Sequence, residues 1–151
     1  MATSFSHEDP KIGVLDQLVG YHLRRASTVF ASDFAQAVAG TGMRQVLFGI
    51  LSIIKANPAI NQGNVGRALG IQRANMVSLV NELVDKGMVH RETSSEDRRA
   101  FALTLTAQGE ELVALCLANI REHEEHLLAD LSASERETLI GLLMRIEAKE
   151  A

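Results

Sequence analysis

The segment Gln72-Arg73-Ala74-Asn75-Met76-Val77-Ser78-Leu79-Val80-Asn81-Glu82-Leu83-Val84-Asp85-Lys86-Gly87, followed by Met88-Val89-His90-Arg91, decides how this chain folds. Met76, Leu79, Val80 and Leu83 recur at i, i+3, i+4 and i+7, which lines one face of an α-helix with apolar side chains. Ala74, Ser78 and Asn81 fall on the opposite face, with Arg73 and Asn75 flanking near its start. Gly87 suits the residue just past a helix end. The period then changes. Met88–Arg91 reads as a short strand, and Phe101, Leu103 and Leu105 alternate with Ala102 and Thr104 as a second. Between them Thr93-Ser94-Ser95-Glu96-Asp97-Arg98-Arg99 forms a polar, charged tip of hairpin-loop length.

Working outward from this unit, Asn61–Leu69 is predicted to form a short helix, with Gly70 placed to cap its end. A helix near 43–56 is apolar nearly all round and belongs at the centre of the core, and Asn57-Pro58 stops it. Residues 12–38 read as one long helix, ended by the turn signal Gly40-Thr41-Gly42. Downstream, Thr106 caps a helix running to about Asp130, and Ser132 and Glu135 have capping-box spacing for a last helix through Ile146. The fold class is mainly α with a small β-hairpin wing: a winged helix-turn-helix plus a helical dimerisation region. The chain is expected to form a single domain over 1–151. Its winged-helix DNA-binding lobe spans 44–105, and dimerisation helices span 11–40 and 106–148.

In a helix-turn-helix the second helix enters the major groove and presents side chains from its N-terminal half. The face from Gln72 to Asn81 is polar and nearly free of carboxylates. A carboxylate there would oppose phosphate, whereas Gln, Asn and Arg can bond bidentately to adenine or guanine edges. Ala74 and Val77 are small and apolar, suited to a thymine methyl. Arg98 and Arg99 at the hairpin tip can reach an adjacent minor groove, where negative potential favours guanidinium. Each feature alone is ordinary solvated surface. Together, in this order and spacing, they indicate a double-helix reader.

The run Leu83-Val84-Asp85-Lys86-Gly87-Met88-Val89-His90-Arg91, then Asp97-Arg98-Arg99-Ala100, then Leu103-Thr104-Leu105-Thr106-Ala107-Gln108-Gly109, resembles the signature of the MarR family of bacterial transcriptional regulators. The resemblance implies a dimeric repressor or activator whose DNA affinity changes when a small molecule binds. It places Gln72, Arg73, Asn75 and Ser78 on the recognition helix. It also matches Asp97 and Arg99 to a wing pair in which the aspartate orients an arginine entering the minor groove. Two departures stand out. Gly63 and Gly66 lie in the first helix of the unit, where stronger helix formers are usual, and Ser78 occupies a place often held by arginine.

Composition agrees without demanding this reading. The 151 residues are 46% hydrophobic and 23% charged, with a formal net charge of -4, which suits a globular core. The acidity is local: residues 106–151 hold four Lys/Arg against ten Asp/Glu, whereas residues 61–105 hold six against five. The middle segment can therefore face phosphate while the acidic helices point elsewhere. A lone cysteine, Cys116, excludes an internal disulfide framework. No signal-peptide core is present at the N-terminus, and the run Val46–Ile54 is too short to cross a bilayer, so a cytoplasmic protein with no membrane partner is expected.

The apolar stripes Leu112, Val113, Cys116, Ile120 and Leu127, then Leu139, Leu142, Leu143 and Ile146, call for a partner surface, so the terminal helices of two chains are expected to interlock as a homodimer. The partners are then double-stranded DNA, a second copy and a small-molecule effector. Gly20-Tyr21-His22-Leu23-Arg24-Arg25-Ala26 resembles regulators of aromatic-acid catabolism, some of which sense acyl-coenzyme A thioesters. His22, Arg24 and Arg25 suit a carboxylate, phenol or phosphate, with Phe30, Met43 and Phe48 as apolar walls.

Rival readings were a metal-responsive regulator using His123 and His126, and a winged helix that binds protein rather than DNA. His123-Glu124-Glu125-His126 lacks the zinc-protease spacing, and no metal ligand set or cofactor is assigned. Cys116, among apolar neighbours, is expected to stay protonated and inert. No nucleophile elbow, phosphate loop or dinucleotide fingerprint is present, so no enzyme is expected.

Overall fold

The computed structural model describes residues 9–93 and 101–150. The chain divides into two compact units, Met1–Ser32 and Asp33–Ala151. In the first, a single 3-10 turn at Gly13–Gln17 precedes helix α1 (Val19–Ala37), whose last residues belong to the second unit. The continuous helix expected over 12–38 is thus broken. Leu18 is extended (φ -97, ψ 113), Gly13 takes a positive φ of 62, and a new hydrogen-bond ladder starts where Tyr21 and His22 donate to the Leu18 carbonyl. The His22 ring bonds back to the Asp16 carbonyl at 2.9 Å, tying the turn to the helix.

The second unit is built around α2 (Gln45–Ala56). Its Leu47, Ile50, Leu51 and Ile54 are fully buried, each contributing roughly 1.5–3 kcal/mol by removal from water. Around it pack α3 (Gln62–Leu69), α4 (Arg73–Asp85) and α5 (Ala107–Leu127), with α6 (Ala133–Glu147) completing the chain order. Val65, Met76, Val80, Leu83, Leu103, Val113 and Cys116 join α2 in one core. Val113 and Cys116 are therefore spent inside the unit rather than held for a partner, which corrects part of the stripe assigned to α5. Large apolar side chains on α6 remain exposed, among them Leu139, Ile140, Leu142, Met144 and Ile146.

The caps at Thr106 and Ser132 fall where the sequence placed them, and Asn61, expected as the first residue of its helix, is instead its N-cap. Asn61 and Thr106 accept from the amides of Asn64 and Gly109, and Ser132 and Glu135 form a reciprocal capping box. The sheet is three-stranded and antiparallel, in the order β1 (Ile60–Asn61), β3 (Phe101–Leu105), β2 (Val89–Thr93). Strands β2 and β3 form the expected hairpin, in register from Val89 opposite Leu105 to Thr93 opposite Phe101. Strand β1 was not expected, because two residues carry no readable period. It adds Ile60 opposite Leu103 and so docks the start of α3 against the hairpin.

Candidate nucleic-acid interface

The helix-turn-helix geometry rests on two glycines with different duties. Gly70 ends α3 in the left-handed conformation (φ 65), which lets Ile71 N–H close on the Gly66 carbonyl at 2.8 Å. Gly66 faces α4 so closely that a Cβ there would lie 2.9 Å from Met76 Cγ and 3.1 Å from the Ile71 carbonyl oxygen. What looked like a poor helix former is a packing requirement. Gly63 has no such duty, since a Cβ there would make only an ordinary contact with Asn61.

Helix α4 buries Met76, Val80 and Leu83 and leaves Gln72, Arg73, Ala74, Asn75 and Ser78 exposed. Gln72 is the N-cap residue, yet its side chain makes no capping bond, and no acidic residue sits in the first turn. Val77 is exposed beside them. An open groove of about 570 Å³ runs along one side of this half-helix, lined by Val46, Ile71, Gln72, Asn75, Ser78 and Leu79. A second, also of about 570 Å³, lies on the other side, with Asn61, Arg67, Arg73, Val77 and Phe101 in its walls. All five residues expected to read DNA here are exposed, with Gln72, Asn75 and Ser78 along the first groove and Arg73 in the second. Asp97, Arg98 and Arg99 lie outside the described residues.

Two interactions organise this surface that the sequence reading missed. Glu82 continues the Asn75–Ser78 stripe by one turn and would place a carboxylate there. Both its oxygens are taken by Arg44 at the start of α2, at 2.7 and 2.9 Å, and Lys86 adds a third contact at 3.1 Å. The Arg44 hydrogen bonds, then that of Lys86, hold the Glu82 carboxyl down at about 2. A Glu82–Lys86 pair is legible from i, i+4 spacing; a partner 38 residues away is not. Second, Arg91 on β2 donates to Asn81 Oδ1 at 2.7 Å and stacks 4.9 Å over the Phe101 ring. Asn81 is thus held by the wing's root.

The residues expected to hold an effector fall in both units. His22, Arg24, Arg25 and Phe30 belong to the first unit, where His22 packs edge-on against Tyr21 and both arginines are exposed. Met43 and Phe48 belong to the second but separate within it: Phe48 meets Phe34 edge-on, while Met43 lines an apolar cavity that Phe48 does not reach. His123 bonds Asp33 at 3.1 Å, and His126 bonds the Glu122 carbonyl at 2.8 Å. Among the described residues no group of three or more His, Cys, Asp or Glu is arranged to hold a metal, and no helix is long and apolar enough to cross a membrane.

Comparison with known proteins points one way. A sequence model described as MarR family matches residues 42–100. A curated protein of Thauera aromatica, assigned as the transcriptional regulatory protein for the hcr operon, is 34% identical over 134 residues, covering 88% of this chain and 81% of the relative. The transcriptional repressor CouR bound to a 23-mer DNA duplex superposes with a TM-score of 0.88 at 33% identity, over 93% of this chain and 99% of that one. CouR bound to p-coumaroyl-CoA superposes with a TM-score of 0.81 at 32% identity, over 95% of this chain and 100% of that one.

Proposed function

Because the chain belongs to the MarR family of transcriptional regulators, we propose that it acts in the cytoplasm as a homodimeric, ligand-responsive repressor of a roughly palindromic operator. Helix α4 enters the major groove and reads bases with Gln72, Arg73, Ala74, Asn75 and Ser78. The wing brings Arg98 and Arg99 to the flanking minor groove, with Asp97 orienting Arg99. Two copies joined through their terminal helices set the recognition helices about one DNA turn apart.

The observation that carries this reading is the exposed first half of α4. It is polar, free of carboxylate, flanked by grooves on both sides, and its one neighbouring acid, Glu82, is already neutralised by Arg44 and Lys86. An aromatic acid, a phenolic compound or the coenzyme A thioester of such an acid releases the operator by binding the DNA-incompetent dimer more tightly. The similar repressor CouR, seen with DNA and with p-coumaroyl-CoA, supports both halves of the proposal.

The test is selection of bound DNA from random fragments, with and without hydroxycinnamates, benzoates and their thioesters. Enrichment of a two-fold symmetric motif, depleted by one of these ligands, is expected. Failure to enrich any motif would remove the DNA reading, and enrichment indifferent to every ligand would remove the effector class.

A further inference from the structure

A cavity of about 200 Å³ opens in the second unit, walled by Met43, Leu47, Leu51, Leu83, Met88 and Leu112, with Thr41 and Gly42 at the α1–α2 turn and Lys86 at its rim. Its lining is almost wholly apolar, and Met43, Leu47, Leu51 and Leu83 are otherwise buried core residues. A void among such side chains forfeits dispersion contacts on every wall. A cavity of roughly 150 Å³ lined by such groups takes up benzene, so this volume fits one aromatic ring and little more. Two of its walls are methionines, whose unbranched thioethers adapt to a flat guest. Lys86 is the cationic residue among its lining side chains, and its ammonium bonds Glu82 at 3.1 Å.

We propose that this cavity receives the ring of an aromatic acyl ligand, and that Lys86 donates to the acyl oxygen, whether carboxylate or thioester carbonyl. The inference rests on the aromatic-effector reading above but moves the ring away from Phe48 and from the cluster at His22, Arg24 and Arg25. Its position explains how occupancy reaches DNA. Leu83 and Lys86 end the recognition helix, and Met88 immediately precedes the first strand of the wing. The acyl oxygen competes with Glu82 for Lys86, so the ligand draws Lys86 away from its i, i+4 contact at the end of the recognition helix.

The full-length protein labelled at its methionine methyl groups provides the test, titrated with 4-hydroxycinnamate, with its coenzyme A thioester and with coenzyme A alone. The acid and the thioester are the two sources of the acyl group, and the arm that saturates identifies which is read. The Met43 and Met88 resonances are expected to shift on saturation, Met144 to stay, and coenzyme A alone to move neither cavity methyl. Lys86→Met, at an exposed position, should weaken binding at least fivefold, and Leu112→Phe, which fills the cavity, at least tenfold. Operator binding by unliganded Leu112→Phe, which lies away from α4's exposed face, should persist. A ligand that releases DNA while Met43 and Met88 stay silent overturns the site and leaves the regulator reading standing. Absence of binding by both acyl compounds overturns the site and the effector class together, and operator selection then shows whether the DNA reading survives.

Discussion

The Arg44 guanidinium meets the Glu82 carboxylate as a two-pronged pair, Nη1 to Oε1 at 2.7 Å and Nη2 to Oε2 at 2.9 Å, joining the start of α2 to the recognition helix across 38 residues of sequence. Parallel N–H···O bonds of this kind fix relative orientation as well as adding energy. Glu82 extends the exposed Asn75–Ser78 stripe by one turn, so one contact both steadies α4 and neutralises a carboxylate beside the face proposed to meet DNA.

That pair predicts an acid-side dependence. The Glu82 carboxyl, ordinarily at 4.5, is held at about 2 by the bonds from Arg44 and Lys86. A carboxyl depressed in the folded state stabilises at pH values above its unfolded value and loses that contribution as pH falls through its folded one. The contribution should therefore be intact above about pH 5 and fade between 4.5 and 2. It is modest, because 51% of the Arg44 side chain and 29% of that of Glu82 remain exposed and the pair is screened by solvent. Urea midpoints of wild type and Glu82→Gln should differ at pH 7 and converge below pH 3. A gap that is constant or widens toward acid would contradict the assignment.

Three glycines should respond differently to alanine. At Gly109 a Cβ would overlap the Met88 carbonyl oxygen, in the turn where Thr106 also bonds the Gly87 carbonyl at 2.7 Å, so backbone must move. Gly109→Ala should cost about 1–3 kcal/mol or more, the usual penalty for overpacking. Gly66→Ala should cost somewhat less, because Met76 can swing aside, although the Ile71 carbonyl cannot. Gly63→Ala makes only ordinary contacts, with Asn61 at 3.5 Å and Arg67 at 3.9 Å, and should be neutral or stabilise by up to roughly 1 kcal/mol, through loss of unfolded-state freedom. Chemical denaturation of the three variants checks the order.

These glycines also mark what the sequence could tell. Local signals were legible because their causes are local: the caps at Thr106 and Ser132, the helix ends at Gly70 and Gly87, and the buried face of α2 all depend on residues within one turn. Gly66 was read as a departure because the Met76 side chain that requires it lies on another helix. The break at Leu18 was invisible for a related reason. Leu15, Leu18, Val19 and His22 keep helical spacing across it, while the break itself is a backbone conformation at Leu18 and Gly13. The different neighbours of Met43 and Phe48 are likewise set by tertiary packing, which residue chemistry alone does not show.

Base reading and phosphate or groove anchoring should separate by mutation. Asn75→Ala removes an exposed amide from α4 and should cost about 1–3 kcal/mol on the best operator, while relaxing preference at one base pair in each half-site. Arg99→Ala should weaken binding across sequences and reduce the slope of log affinity against log salt by about one. Fluorescence anisotropy on operator and scrambled duplexes over a salt series distinguishes them. Equal losses on both duplexes for Asn75→Ala would show that this face does not read bases.

The exposed apolar side chains of α6 lead to the last expectation. Ile140 is 58% exposed and Met144 60%, one turn apart on the same helix, and neither contributes to the core of the second unit. A monomer would gain nothing from holding such a surface in water, whereas a two-fold interface would bury it twice. Ile140→Glu with Met144→Glu should leave helix content unchanged, because no buried contact is lost. It should shift the protein from dimer to monomer in sedimentation at micromolar concentration. Operator affinity should then fall by roughly 10²–10⁴-fold, since each half-site is engaged without its tethered partner. If the doubly charged variant remained dimeric and bound the operator normally, α6 would have to be removed from the interface, and the exposed apolar residues at Val14, Leu18 and Val19 would be the surface to test in its place.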